Sequence, residues 1–144
     1  MNILVLRGNP REEGHTQAVT DRVVRGMESE GGSIKDIRLF DKRINRCRGC
    51  FKCWYAHKGR CVFRDDMDDL LPALYNADLV FIATPLYHFT MSPSLSDFLN
   101  RTLPVTANGF TINGNSNLTN MPTDPERWEG KSLAYLSCCL FTHL

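Results

Sequence analysis

Four of the six cysteines fall in one short stretch: Cys47, Cys50, Cys53 and Cys61. Three recur at every third residue, in Cys47-Arg48-Gly49-Cys50-Phe51-Lys52-Cys53, and Cys61 follows after seven more. Such spacing is too tight for a set of mutual disulfides. It lets successive sulfurs turn toward a single centre. Three chemistries suit it. A 4Fe–4S cluster takes compact runs of thiolates. Zinc also takes four sulfurs, although its usual sites pair two ligand knuckles across a longer gap. Metal-free thiols are the third. From Lys42 to Arg64 there are eight Lys or Arg and no acid. Positive surroundings lower thiol pKa and favour an anionic thiolate–metal unit. They also attract a nicotinamide dinucleotide phosphate or an acidic electron-transfer partner. Trp54 and Tyr55 are placed to shield such a centre from water or to act as hydrophobic plugs.

Two other loops carry chemistry. Gly8-Asn9-Pro10-Arg11-Glu12-Glu13-Gly14-His15-Thr16 joins an apolar run to a helical pattern, and N–H groups at a helix start point at a bound anion. Arg11, His15 and Thr16 add donors, which suits a phosphate monoester. The loop lacks G-x-G-x-x-G. It also departs from the Walker A pattern: five residues separate Gly8 from Gly14, and His15 replaces the lysine. The second loop, Thr84-Pro85-Leu86-Tyr87-His88-Phe89, offers flat apolar surface and backbone donors. A flavin ring needs that mix, and His88 is a candidate donor to its pyrimidine edge.

The elements that must position these loops are legible as patterns. Ile3-Leu4-Val5-Leu6 and Leu79-Val80-Phe81-Ile82-Ala83 are continuous apolar runs, as in strands buried on both faces of a parallel sheet. From about Thr16 the pattern is helical, with Val19, Val23, Val24 and Met27 on one face, and Gly31-Gly32 stops it. Ile34 to Leu39 is a more polar strand suited to an edge. Asp65 or Asp66 is expected to cap a short helix through Met67, Leu70, Leu71 and Leu74. Ser92-Pro93-Ser94 opens another through Leu95, Phe98 and Leu99. Residues 104 to 129 read as an irregular excursion, and Lys131 to Cys139 as a last strand in which Cys138 and Cys139 are buried small hydrophobes. This alternation predicts an α/β fold, an open parallel sheet of order 2-1-3-4. Its switch point lies between the two apolar strands, and ligands bind there at the carboxyl ends.

The 144-residue length predicts one domain, residues 1–144. A net charge of +1 gives no overall field for nucleic acid or membrane. The first apolar run is too short for a signal peptide, and no run is long enough to span a bilayer. The expected location is therefore cytoplasmic, where thiols stay reduced. A rival reading is a zinc-stabilised α/β binding module without redox turnover, whose basic loop, with Phe51, Trp54 and Tyr55, stacks on nucleic-acid bases.

Together these segments resemble the flavodoxin-like NAD(P)H-dependent FMN reductases, and the cysteine ladder is most similar to their iron–sulfur flavoprotein branch. The matching residues are Gly8-Asn9-Pro10-Arg11 with Gly14-His15-Thr16, the ladder, Asp65-Asp66-Met67, Ala77-Asp78-Leu79-Val80-Phe81, Thr84-Pro85-Leu86-Tyr87 and Phe98-Leu99-Asn100-Arg101. They run in family order over roughly residues 1 to 101. The resemblance implies FMN held by Asn9, Arg11, His15, Thr16 and Gln17 on one side and by Thr84, Pro85, Leu86, Tyr87, His88 and Phe89 on the other. It implies a 4Fe–4S cluster on Cys47, Cys50, Cys53 and Cys61, with NAD(P)H or a ferredoxin-type donor, an unspecified electron acceptor and a homo-oligomer, dimer or tetramer. No catalytic side chain is expected, because the flavin carries the chemistry. Two departures stand out. Asn100-Arg101 replaces the common Asp-Arg, which weakens an expected helix-end ion pair. Family members also continue past the fourth strand with a helix, a fifth strand and another helix. Here the third flavin loop is missing or reduced to Phe141-Thr142-His143-Leu144, and the last strand is expected to have a bare outer edge.

Overall fold

A computed structural model describes residues 1–106, 111–112, 118–119 and 126–139. Its main sheet has four parallel strands: β1 (Asn2–Arg7), β2 (Ser33–Arg38), β3 (Leu79–Pro85) and, after a two-residue pair β4 (Thr111–Ile112) and β5 (Leu118–Thr119), β6 (Ser132–Cys138). Their order is β2-β1-β3-β6, which is the expected 2-1-3-4 when only the main sheet is counted.

Burial explains the pattern of the strands. Ile3, Leu4, Val5 and Leu6 are all buried because helices cover both faces of β1. Each such side chain contributes about 1.5–3 kcal/mol by leaving water. On one face, Leu4, Leu6, Val80 and Ile82 pack with Leu70 and Leu74 of α3 (Met67–Asn76) and with Leu95 and Phe98 of α4 (Pro93–Asn100). On the other, Ile3, Val5, Phe81 and Ala83 meet Val24 of α1 (His15–Ser29). A single turn, α2 (Lys52–Tyr55), lies within the cysteine loop. The sheet edges are polar or open. β2 buries only Ile37. On β6, Leu133 and Tyr135 remain exposed.

Several local expectations need correcting. Val19 lies at the margin of the apolar face of α1 and is exposed. Leu39 leaves the β2 ladder for a 3-10 turn, Leu39–Asp41, that tucks it into the core. Neither acid caps α3 from the N-cap position, since the Asp66 side chain makes no cap bond. Asp66 instead accepts from Arg43 N at 2.8 Å, and Asp65 accepts from Met67 N at 3.2 Å while serving a larger role described below. Cys138 is half-buried and Cys139 exposed, although Cys138 still pairs with Pro85 of β3. By contrast α4 opens at Ser92-Pro93 as expected, with Pro93 in the first turn, and the Ser92 side chain caps it by accepting from Leu95 N at 3.4 Å. The expected remnant of a third flavin loop, Phe141–Leu144, lies outside the described residues.

Gly8 is required by a close approach at the junction of these elements. Its N–H donates to Ala83 O at 2.7 Å. A Cβ there would stand 2.6 Å from Ser92 Oγ and 3.1 Å from Thr84 Oγ1. Gly8→Ala should therefore cost about 1–3 kcal/mol by overpacking, seen as a lower urea midpoint at unchanged slope.

Candidate functional site

The loop after β1 is held from beneath by a buried arginine. Arg7 donates to Asp36 through Nε (2.8 Å) and Nη2 (2.6 Å), and to Asp21 through Nη1 (2.6 Å). The Asp36 bonds outweigh the cost of burial and, with Asp21, raise the arginine pKa above its ordinary value. Asp21 also accepts from Gln17 Nε2 at 3.0 Å. Gln17 Oε1 in turn accepts from Asn9 Nδ2 at 3.0 Å, and the same Asn9 nitrogen reaches Arg11 O at 2.8 Å. This relay fixes the loop backbone. It leaves Asn9 Oδ1 buried without a partner, an acceptor whose desolvation costs about 1–3 kcal/mol until a donor meets it.

Beside it, α1 starts open. Gly14 occupies its N-cap with φ 151° and ψ 172°, a conformation essentially restricted to glycine. No side chain caps this start and its first turn holds no acid, so its N–H groups suit an anion. Thr16 is buried there, while Arg11 and His15 are exposed.

The second loop returns to the same crevice. Ser92 N donates to Thr84 Oγ1 at 3.2 Å, and Leu86 N to Cys138 O at 2.9 Å. Tyr87 and Thr90 exchange both backbone hydrogen bonds, 2.8 and 2.9 Å. Between them His88 (φ 44°) and Phe89 (φ 64°) form a mirror-image turn of the kind usually made by Asn-Gly. Such backbone is strained for residues with a Cβ, and strain of this kind clusters at functional sites. The turn holds up the Phe89 and His88 rings, 5.8 Å apart, in an exposed position. Sequence reading named both residues but missed the turn, because neither is a turn former. A cavity of about 370 Å³ opens here, bounded by Gly8, Pro10, Phe40, Lys42, Tyr87 and Ser94, a size within the range of small-molecule sites. The larger groove, about 1020 Å³, runs along the outer edge of β2 beside α3, away from both loops.

The four ladder cysteines line one further cavity, together with Phe51, Phe63 and Arg101. Burial pushes the Cys53 thiol pKa up, helped by the charges of Cys61, Cys47 and Cys50. The cavity is about 20 Å³, room for about one water. Among the described residues no three Cys, His, Asp or Glu side chains already converge on one metal ion. The donor set fits a thiolate-bound centre, and the loop must spread to take one. Trp54 closes the base of the loop: it is buried, donates Nε1 to Leu103 O at 2.9 Å, and packs 5.0 Å from Phe51. Tyr55 is exposed. All eight cations from Lys42 to Arg64 face solvent.

The loop is anchored by a buried ion pair that sequence reading did not find. Arg101 donates to Asp65 through Nη1 (2.7 Å) and Nη2 (3.0 Å), with side-chain exposures of 1% and 0%. Arg101 Nη1 also reaches Asn45 O at 2.6 Å, and Asp65 Oδ2 accepts from Asn45 N and Nδ2, each at 2.8 Å. The expected weakening at Asn100-Arg101 is thus offset by a partner 36 residues upstream. Burial works against the Asp65 charge, but the Arg101 and Asn45 bonds overcome it and hold the carboxyl well below the usual carboxylate range. A carboxyl depressed on folding contributes stability that is complete above its unfolded pKa of about 3.8 and is lost as pH falls below that value. Urea midpoints measured from pH 7 down to pH 3 should hold level and then drop at the acid end. The drop should be smaller in Asp65→Asn.

The parallel order, the switch-point crevice and the two convergent loops define a flavodoxin-like open α/β protein. Residues 1–140 match the family described as NADPH-dependent FMN reductase, and the chain belongs to that family. It is 33% identical over 104 residues to an iron-sulfur flavoprotein of Archaeoglobus fulgidus, covering 72% of this chain and 46% of that protein. It is 30% identical over 105 residues to an iron-sulfur flavoprotein of Methanocaldococcus jannaschii, covering 73% and 53%. The chain therefore spans about half the length of the curated relatives it matches. Among solved structures, an FMN-dependent NADH-azoreductase from Bacillus anthracis, in complex with FMN, superposes with a TM-score of 0.69 at 14% identity, over 99% of this chain and 72% of that one. No helix among the described residues is long and apolar enough to cross a membrane.

Proposed function

We propose that residues 1–144 are a single FMN-binding domain of a cytoplasmic, homo-oligomeric oxidoreductase. The domain takes electrons from NAD(P)H or a ferredoxin-type carrier and carries a 4Fe–4S cluster on Cys47, Cys50, Cys53 and Cys61. The observation that carries the flavin reading is the buried Asn9 Oδ1, left without a partner beside the uncapped start of α1. An acceptor next to free N–H donors matches a polyol phosphate, hydroxyl first and phosphate beyond it. In this reading the start of α1 with Thr16 and Gln17 receives the phosphate, Arg11 and His15 add charge at its rim, and Asn9 accepts from the polyol. Thr84, Pro85, Leu86 and Tyr87 flank the ring, and the His88–Phe89 turn walls one side of it. Bound FMN would supply two-electron uptake and one-electron release. The chain's own part is to orient the ring and to keep water from one face. The names of the relatives support a cluster on the ladder, and Trp54 closing the base of the loop supports a shielded centre.

The test is protein purified without oxygen, with extracted FMN, iron and acid-labile sulfide assayed against chain concentration and a visible spectrum taken on the same sample. Stoichiometric FMN with iron and sulfide in equal amounts is expected. Failure to bind FMN supplied in excess overturns the flavin reading. Stoichiometric zinc without sulfide overturns the cluster.

A further inference from the structure

We propose that Arg101 is a positioning residue that turns one edge of its guanidinium toward the cysteine centre and raises that centre's reduction potential. The inference rests on the cluster reading and concerns a residue outside the ladder. A guanidinium has five N–H donors in a fixed plane. Both Nη1 donors are used, by Asp65 Oδ2 and Asn45 O, and one Nη2 donor is used by Asp65 Oδ1. That end-on fork leaves the Nε edge, and Nε is buried with no hydrogen-bond partner.

Arg101 itself is 1% exposed, so water does not satisfy this donor. It lines the same small cavity as all four cysteines. Its guanidinium carbon also stands 5.2 Å from the centre of the Phe63 ring, which helps hold the plane in place. A fixed cation with an unpaired donor beside a thiolate-ligated centre stabilises the more negative, reduced form. Hydrogen bonds to cluster sulfurs are a recognised control on its potential. The Asp65 fork determines which edge faces the cavity. The ion pair is thus built for orientation as well as for anchoring the loop.

The test is a redox titration of the anaerobic, cluster-loaded chain and its Arg101→Lys variant, followed by the signal of the reduced cluster. Lysine keeps the charge beside Asp65 but has no second edge to present. With iron and sulfide content matched, the variant's midpoint should be more negative. The expected change is about tenfold in the reduction equilibrium, about 59 mV for one electron. An Arg25→Lys control, changing an exposed cation on α1, should leave the midpoint in place. A loaded Arg101→Lys chain with the parent midpoint overturns the inference while leaving the cluster reading intact. A parent that holds no iron overturns both. If the variant fails to fold, the parent grown with nitrogen-15 arginine decides the matter. Hyperfine coupling of the label to the reduced cluster supports the inference, and its absence sinks it.

Discussion

Replacing Cys50 and Cys53 together by serine should empty the loop of iron and sulfide while leaving FMN bound at the parent stoichiometry. Two remaining thiolates do not hold a four-iron centre, and serine is a poor ligand because its hydroxyl stays protonated near neutral pH. The two loops proposed to hold the flavin lie on the carboxyl ends of β1 and β3, and their supporting bonds run through Arg7, Asp21, Gln17, Thr84 and Ser92, none of them in the ladder. The measurement is the ratio of iron to flavin in anaerobically purified protein. Unchanged iron would remove the cysteines as ligands. Flavin lost in step with iron would show the two sites to be one.

The second large effect is expected at Asp65→Asn, which should cost about 3–5 kcal/mol at pH 7 by leaving a buried arginine charge unpaired. That is a large fraction of the roughly 5–15 kcal/mol available to a domain. The Asp65 side chain is fully buried and also holds Asn45 and Met67 by their backbone N–H groups, so the loss reaches both ends of the cysteine loop. Removing both charges, as Asp65→Asn with Arg101→Met, should recover part of the stability, because the desolvation cost disappears with them. Urea denaturation of the two variants decides this. A single variant as stable as the parent would mean that the pair is not formed in solution.

The parts of the molecule governed by burial were the most legible. The runs at Ile3–Leu6 and Leu79–Ala83 announce central parallel strands because nothing else buries both faces of four or five consecutive residues. Sheet order and switch point then follow from handedness. That the four ladder cysteines gather around one cavity is legible from spacing alone. What escaped depends on long-range pairing. Asp65 precedes an apolar helical run, so it reads as a helix cap, and only the fold brings Arg101 to it. Asn9 and Gln17 read as ligand-binding residues, yet the Asn9 NH2 and both ends of the Gln17 amide are spent holding the loop. The His88–Phe89 turn carries no Asn or Gly to signal it.

That turn has a cost written into it. Two successive residues with side chains occupy backbone space where glycine is at home, at about 1–3 kcal/mol apiece. Phe89→Gly should therefore tolerate more urea than its parent and grip its yellow pigment less firmly. A laboratory selecting this chain for heat resistance alone would tend to erase the ring that position 89 holds out to solvent.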